Sequence, residues 1–411
     1  MRYRYSAGDN GKLVRKAIIY TSGEHGINFA DVDGEAVTIV KRLKNSGFDA
    51  YIVGGAVRDL ILGKKPKDFD IVSTASPARI KKIFRNARII GRRFRLVHVY
   101  SGQRVFEVST FRSTRDGHTG NTFGTMDEDV YRRDFTMNAL YYDPEQQIVV
   151  DYVDGINDIK KRQVKPVIPL SEIFTDDPVR MIRAVKYAAA AGFSIPVNLK
   201  MKIQKQSNLL TFISPSRLTE EILKIINSEK AAEIVDLLDK SGLYCYLQPQ
   251  AASLMRKSAA FKRDYLRSMA ALKGSGNARG QALCSLFRDY LESVNEWKPG
   301  AIENFSEIFR KARSFVLPMN PPRYEMEYAL KKFLAGHGIT IKKPQLDKPK
   351  ATGEDDAVKP ARKRRRRRKP KSKQDVKKEE SHAETPRQAP HSGVKKLSLH
   401  GVALSKRKQD E

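Results

Sequence analysis

Residues 50–72, AYIVGGAVRDLILGKKPKDFDIV, constrain this chain more than any other stretch. Four strand-forming residues run into Gly54-Gly55, a short helical pattern (56–63) follows, and a second strand-like run, DFDIV (68–72), closes the unit. Residues two apart on a strand share a face, so Asp68 and Asp70 are expected to point together, with Phe69 and Ile71 packed behind them. Carboxylates are seldom desolvated without a partner, so something positive is expected beside them. One candidate is lysine at a solvated strand end, from Lys64, Lys65 or Lys67. The other is a pair of Mg²⁺ ions, which prefer hard oxygen ligands and often bind phosphate as well. Glu107, inside the apolar run VFEVSTF (105–111), is the third candidate ligand. Two glycines between strand and helix let a backbone approach phosphate oxygens at the positive helix end. Strand, glycine pair, twelve residues that include the helix, then D-x-D, with a strand glutamate later, fits two-metal phosphoryl chemistry.

Around this unit the text alternates. Residues 1–26 are expected to be loosely ordered. Val32, Ala36, Ile39, Val40 and Leu43 recur at helical spacing, and Asn45-Ser46-Gly47 supplies a stop. Ser76-Pro77 opens a basic helix to about Arg85, and 88–91, 95–100 and 105–111 read as strands. A polar loop (112–130) leads to YRRDFTMNALYYD (131–143). Beyond about 171 the patterns turn helical. Thr175 is a candidate N-cap for a helix over 176–191 that ends at Gly192. Ser214-Pro215 opens another, with Leu218, Ile222, Ile225 and Ile226 on one face. Helical patterns continue to about Phe333 with no strand signal. The expected domains are a flexible 1–26, an α+β catalytic head over 27–170, an all-α neck and body over 171–340, and a disordered basic tail over 341–411.

Charge narrows the partner. The chain carries 77 Lys+Arg against 47 Asp+Glu. Residues 341–411 hold 23 against 10, and the remainder is still basic at 54 against 37. That favours a polyanion, nucleic acid before membrane. The run Arg364, Arg365, Arg366, Arg367 and Arg368 is read as a nonspecific phosphate binder. Cys245 and Cys284 are the only cysteines, which excludes a disulfide framework and a Cys-rich zinc site. No run of 18 apolar residues occurs, so the expectation is a cytoplasmic, reduced protein without a membrane partner.

YIVGGAVRDLILGKKPKDFDIV resembles the motif of the DNA polymerase beta-like nucleotidyltransferases. More narrowly, it resembles the class II tRNA nucleotidyltransferase/bacterial poly(A) polymerase family. The likeness continues through RRDFTMNALYYD (132–143), DYVDGINDI (151–159), DDPVRMIRAVKYAA (176–189) and SRLTEEILKI (216–225), spanning about 27–245. IIGRRFRLVHV (89–99) looks like the poly(A) polymerase version of that segment.

The resemblance implies roles. Asp68, Asp70 and Glu107 would hold two Mg²⁺ ions, one activating an RNA 3′-OH and the other steadying the departing pyrophosphate. Gly54, Gly55 and Arg58 would cradle the triphosphate of ATP. Arg133 would hold phosphate, while Asp134 and Asn138, taken as four apart on one helix face, would meet ribose and base. Asp177 and Arg180 would read the base edge, with Arg183 beside them; an intrahelical ion pair is the plain alternative. Asp176 stands where the family usually has glutamate. Arg92, Arg93 and Arg95 would contact phosphates or pair with the acidic motifs, and His98 is read as a satisfied core residue. The expectation is a template-independent adenylyltransferase acting on RNA 3′ ends. The alternatives are a CCA-adding enzyme using CTP and ATP, and an RNA-binding protein with an inactive fold of this kind.

Overall fold

In a computed structural model the described residues are 2–7, 13–91, 95–113, 115, 122–271, 279–302 and 304–341. Nine strands form one mixed sheet: β1 (Arg2–Ala7), β2 (Leu13–Tyr20), β3 (Ala50–Val53), β4 (Asp70–Ser73), β5 (Ala87–Ile90), β6 (Leu96–Ser101), β7 (Arg104–Thr110), β8 (Leu140–Asp143) and β9 (Ile148–Asp151). Their order is β1-β2-β9-β8-β3-β4-β7-β6-β5. β4 and β7 run parallel, and every other neighbouring pair is antiparallel.

β3 and β4 are apolar because both sheet faces are covered there. Ile52 and Ile71 face a layer made by the helices Gly34–Asn45 and Pro77–Ile83, with Ile39, Leu43 and Ile80 fully or almost fully buried. Asp33 caps the first helix through Glu35 and Ala36, and Ser76 caps the second through Arg79. Val53 and Val72 belong to a smaller core on the opposite face, closed by Met126, Val130 and Tyr141. After residue 172 the described chain is mainly helical. Helices Val179–Ala191, Pro215–Ile226, Ala231–Lys240, Ala259–Ala270, Arg279–Val294, Phe305–Phe315 and Arg323–Gly336 share one apolar core. Leu218, Ile222, Ile225 and Ile226 are buried, as their spacing predicts.

Several expectations are corrected. The N-terminal residues form β1 and β2, and β2 pairs with β9 through Ile18, Ile19 and Tyr20. The 112–130 loop contains a helix, Met126–Tyr131, capped by Thr125. Thr175 caps nothing: it lies inside a short helix, Ile173–Asp176, and its hydroxyl donates to Glu172 O, while the expected helix begins only at Val179, after extended Asp177 and Pro178. Gly192 does end the latter, at φ 75°. Two short strands, Gly300–Ile302 and Ile339–Ile341, pair in parallel within the helical part.

Asp68 lies outside the sheet, because β4 begins at Asp70. The pairing Val53↔Asp70 is the last rung, since Gly54 turns away at φ 74°, ψ −135° and leaves Asp68 no partner. Residues 342–411, with the arginine run, lie outside the described residues, as do Arg92 and Arg93. Among the described residues no helix is long and apolar enough to cross a membrane.

Candidate active site

One cleft of about 850 Å³ gathers Gly54, Gly55, Asp70, Glu107, Arg133, Asp134, Asn138, Asp177, Arg180 and Arg183. Its floor is the sheet. β4 and β7 run in parallel with Ile71 opposite Val108, so one step earlier Asp70 and Glu107 stand side by side. Desolvation among the cleft walls, and next the Glu107 carboxylate, raise the Asp70 carboxyl to about 6; Arg133 opposes the rise and Asp68 adds to it. Asp68 is exposed beyond the strand and acts on Asp70 only through this field.

The glycine pair meets this floor. A Cβ on Gly54 would lie 3.8 Å from Asp70 Oδ2 and 3.9 Å from Arg133 Nη1, so its bare backbone borders both charges. Arg58 does not line the cleft, but its Nη1 donates to Asn138 Oδ1 at 2.8 Å, and its Nε and Nη2 donate to Asp59. Asp134 and Asn138 do not share a helix face, contrary to expectation. Phe135 bridges to Pro166, Thr136 N donates to Lys165 O, and only a single 3₁₀ turn, Thr136–Asn138, follows. Both residues are nonetheless buried in the cleft wall. DYVDGINDI supports that turn from behind. Asp151 accepts from the backbone N–H groups of Val153, Gly155 and Ile156, fixing the helix Gly155–Lys160. A Cβ on Gly155 would fall 2.3 Å from Thr136 O, so only glycine allows this approach.

The helical wall presents Asp177, Arg180 and Arg183. Asp177 Oδ1 accepts from Val179 N, and Oδ2 accepts from Arg217 on the helix Pro215–Ile226. Its partner is therefore not Arg180, whose Nη1 donates to Ile173 O at 3.1 Å and lies 3.8 Å from Asp176. Burial lowers the Arg180 pKa, against the pull of Asp177, Asp134 and Asp176. Arg183 sits 2.8 Å from Asp134 and donates to Tyr187 OH.

Sequence reasoning missed Arg112, Asp129, Arg132, Tyr187 and Arg217, all in the lining. Asp129 is almost wholly buried and takes Arg132 at i+3 and Arg133 at i+4. That spacing in EDVYRRD was a readable ion-pair signal. Tyr187 carries three cations over its ring, from Arg58, Arg183 and Lys186. His98 is not a core residue: it pairs across strands with Glu107, 3.5 Å from its Oε1. Arg95 is exposed just before β6 and does not line the cleft.

Among the described residues no three His, Cys, Asp or Glu side chains close into a formed metal centre. The donor set still suits a divalent cation. Asp70 and Glu107 are hard oxygen donors side by side, and both desolvation and their mutual repulsion disfavour the charged form of Asp70, a cost that a cation would offset.

Residues 50–165 match the poly A polymerase head domain, and residues 192–255 match the model described as the probable RNA and SrmB-binding site of polymerase A. Poly(A) polymerase I of Escherichia coli O6:H1 is 40% identical over 242 residues, covering 55% of this chain and 52% of that protein. The CCA-adding enzyme of Geobacillus kaustophilus is 35% identical over 240 residues, covering 56% and 59%. The chain thus spans about half the length of the curated relatives it matches. The crystal structure of the Bacillus stearothermophilus CCA-adding enzyme in complex with CTP superposes with a TM-score of 0.54 at 30% identity, covering 73% of this chain and 69% of that one. With a matching head domain, 35–40% identity to relatives of both activities and a shared fold, this chain belongs to the class II tRNA nucleotidyltransferase/poly(A) polymerase family.

Proposed function

We propose that the protein is a template-independent RNA 3′-end adenylyltransferase. AMP passes from ATP to an RNA 3′-OH, a new phosphodiester forms, and pyrophosphate leaves. The observation that carries this reading is the placement of the Asp70–Glu107 pair in the same cleft as Arg133, Asp134, Asn138, Asp177 and Arg180.

Two Mg²⁺ ions on Asp68, Asp70 and Glu107 would supply the Lewis acidity that ionises the hydroxyl and neutralises the leaving pyrophosphate. The chain's own residues do the positioning. Gly54 and Gly55 offer bare backbone to the triphosphate, and Arg133, fixed by Asp129 and Tyr141, presents its guanidinium at the same spot. Arg58 orients Asn138 from behind the wall. Asp177 and Arg180, both buried, set an acceptor and a donor against the base edge, so selection needs no nucleic-acid template. Arg92, Arg93, Arg95 and the arginines 364–368 would add phosphate contacts along the RNA. We place the activity in the cytoplasm.

Adenylation is preferred to CCA addition on IIGRRFRLVHV. CCA addition is the second reading, favoured by the likeness to a structure solved with CTP. Primer extension decides between them. A labelled, unstructured RNA is incubated with Mg²⁺ and each NTP separately, beside an Asp68→Ala/Asp70→Ala control. A long ladder with ATP alone, absent in the control, is the expected result. Extension restricted to tRNA lacking its end, stopping after CCA, would replace this reading with the second. RNA binding without incorporation of any nucleotide would leave an inactive binding protein.

A further inference from the structure

The sheet does not end at the cleft. Arg88 on β5 pairs with His98 on β6, and His98 pairs with Glu107 on β7. Directly paired residues share a face, so Arg88, His98, Glu107 and Asp70 form one row from the sheet edge to the cleft floor. Along β6 the same face carries Leu96 in the cleft, then His98, then Tyr100, which is 40% exposed. Tyr100 meets His98 edge-on at 6.4 Å and pairs with Val105, itself 46% exposed. The alternate residues Val97, Val99, Phe106 and Val108 are buried under the helical layer on the other face. Three strands therefore leave one aromatic and basic face open, continuous with the carboxylate pair.

The charge of this region is one-signed. From Ile71 to Phe106 the sequence has nine Lys/Arg and no Asp or Glu. Arg104 is committed to Asp33, whereas Arg88 stands exposed in the middle of the edge strand. An open sheet face with ring platforms and a flanking arginine is how single-stranded nucleic acid is held without sequence preference.

We propose that the 3′-terminal nucleotides of the RNA lie across β5–β7, bases over His98 and Tyr100 and phosphates toward Arg88, so that the last hydroxyl reaches Glu107 and Asp70. This deepens the transferase reading and rests on it for the direction of the strand.

The test uses the full chain with Arg88→Glu, Tyr100→Ala and Tyr100→Phe. A fluorescein-labelled oligoadenylate reports binding by anisotropy, and steady-state extension reports KM for RNA and for ATP separately. A 4-thiouridine near the RNA 3′ end maps contacts by crosslinking. Arg88→Glu and Tyr100→Ala are expected to raise Kd and KM for RNA about ten-fold, with KM for ATP unchanged. Tyr100→Phe is expected to restore both, which separates stacking from misfolding. The crosslink is expected within 88–107. RNA affinity unchanged in the first two variants, with crosslinks confined to 192–255, overturns the platform. Wild-type protein that shows these binding differences but adds no nucleotide keeps the platform and removes the transferase reading alone.

Discussion

Arg133 donates from both Nε and Nη2 to one oxygen of Asp129, at 3.2 and 2.9 Å, while Arg132 Nε takes the other at 3.0 Å. Tyr141 OH adds a fourth bond at 2.8 Å. A single buried carboxylate thus fixes two cleft arginines, and a buried charge left without its partner is costly. Asp129→Ala is expected to lower unfolding free energy by about 3–5 kcal/mol in urea titrations. Acid should erase part of that difference. Burial alone would raise the Asp129 carboxyl, but Arg133, Arg132 and the Tyr141 hydroxyl outweigh it and hold it below 3.8. The folded state therefore binds this proton less readily than the unfolded chain. Its stabilisation is complete above 3.8 and fades as the pH falls through the lowered value. Wild type and Asp129→Asn should converge in stability there, and a constant gap down to that range would contradict this account.

Gly54 sits at φ 74°, ψ −135°, a region closed to residues with a Cβ. Nothing lies closer than 3.8 Å to where that Cβ would be, so the cost of Gly54→Ala is backbone strain and not collision. A loss of about 1–3 kcal/mol is expected in thermal melts, together with a higher KM for ATP as the turn relaxes away from Asp70 and Arg133. An unchanged KM would remove Gly54 from the triphosphate site.

Arg217 reaches Asp177 from a different helix, and Asp177 is one of the two base-reading candidates. Cutting that tie should cost selectivity more than speed. In Arg217→Ala the ratio of kcat/KM for ATP to that for CTP is expected to fall by about ten-fold, as Asp177 loses its fixed orientation. Competing-nucleotide incorporation measures it directly.

Divalent metal should stabilise the fold through the carboxylate pair. Burial first, then Glu107 and Asp68, disfavour the charged form of Asp70, and a ligand that binds only the native state raises Tm by mass action. Mg²⁺ is expected to raise the Tm of wild type by a few degrees and to leave Asp68→Asn/Asp70→Asn unmoved, with EDTA reversing the shift. Equal shifts in both proteins would place the ion elsewhere.

What could be read from the sequence was local. Strand, glycine pair and helix over 50–61 depend on near neighbours, and they appear as their pattern implies. Asp68 was misplaced because strand alternation says nothing about where the partner strand stops, and Gly54 stops it. The N-terminal strands β1 and β2 were unreadable for a related reason: β2 finds its partner in β9, more than a hundred residues away. Asp134 and Asn138 looked helical until the bridge from Phe135 to Pro166 took the backbone out of the helix. His98 looked like core because its neighbours Val97 and Val99 are core; its own face is the open one. Asp177 and Arg180 sit close in sequence, yet the bond that matters reaches Arg217 on another helix.

β4 and β7 are the one parallel pair in the nine-stranded sheet, and they need a long crossover between them. Asp70 and Glu107 become neighbours only after the helix Pro77–Ile83 and the β5–β6 hairpin have been threaded and packed. Without β7 paired to β4, the Asp70–Glu107 pair does not exist. The two carboxylates of the cleft floor thus lie 37 positions apart in the sequence and are joined only by long-range strand pairing.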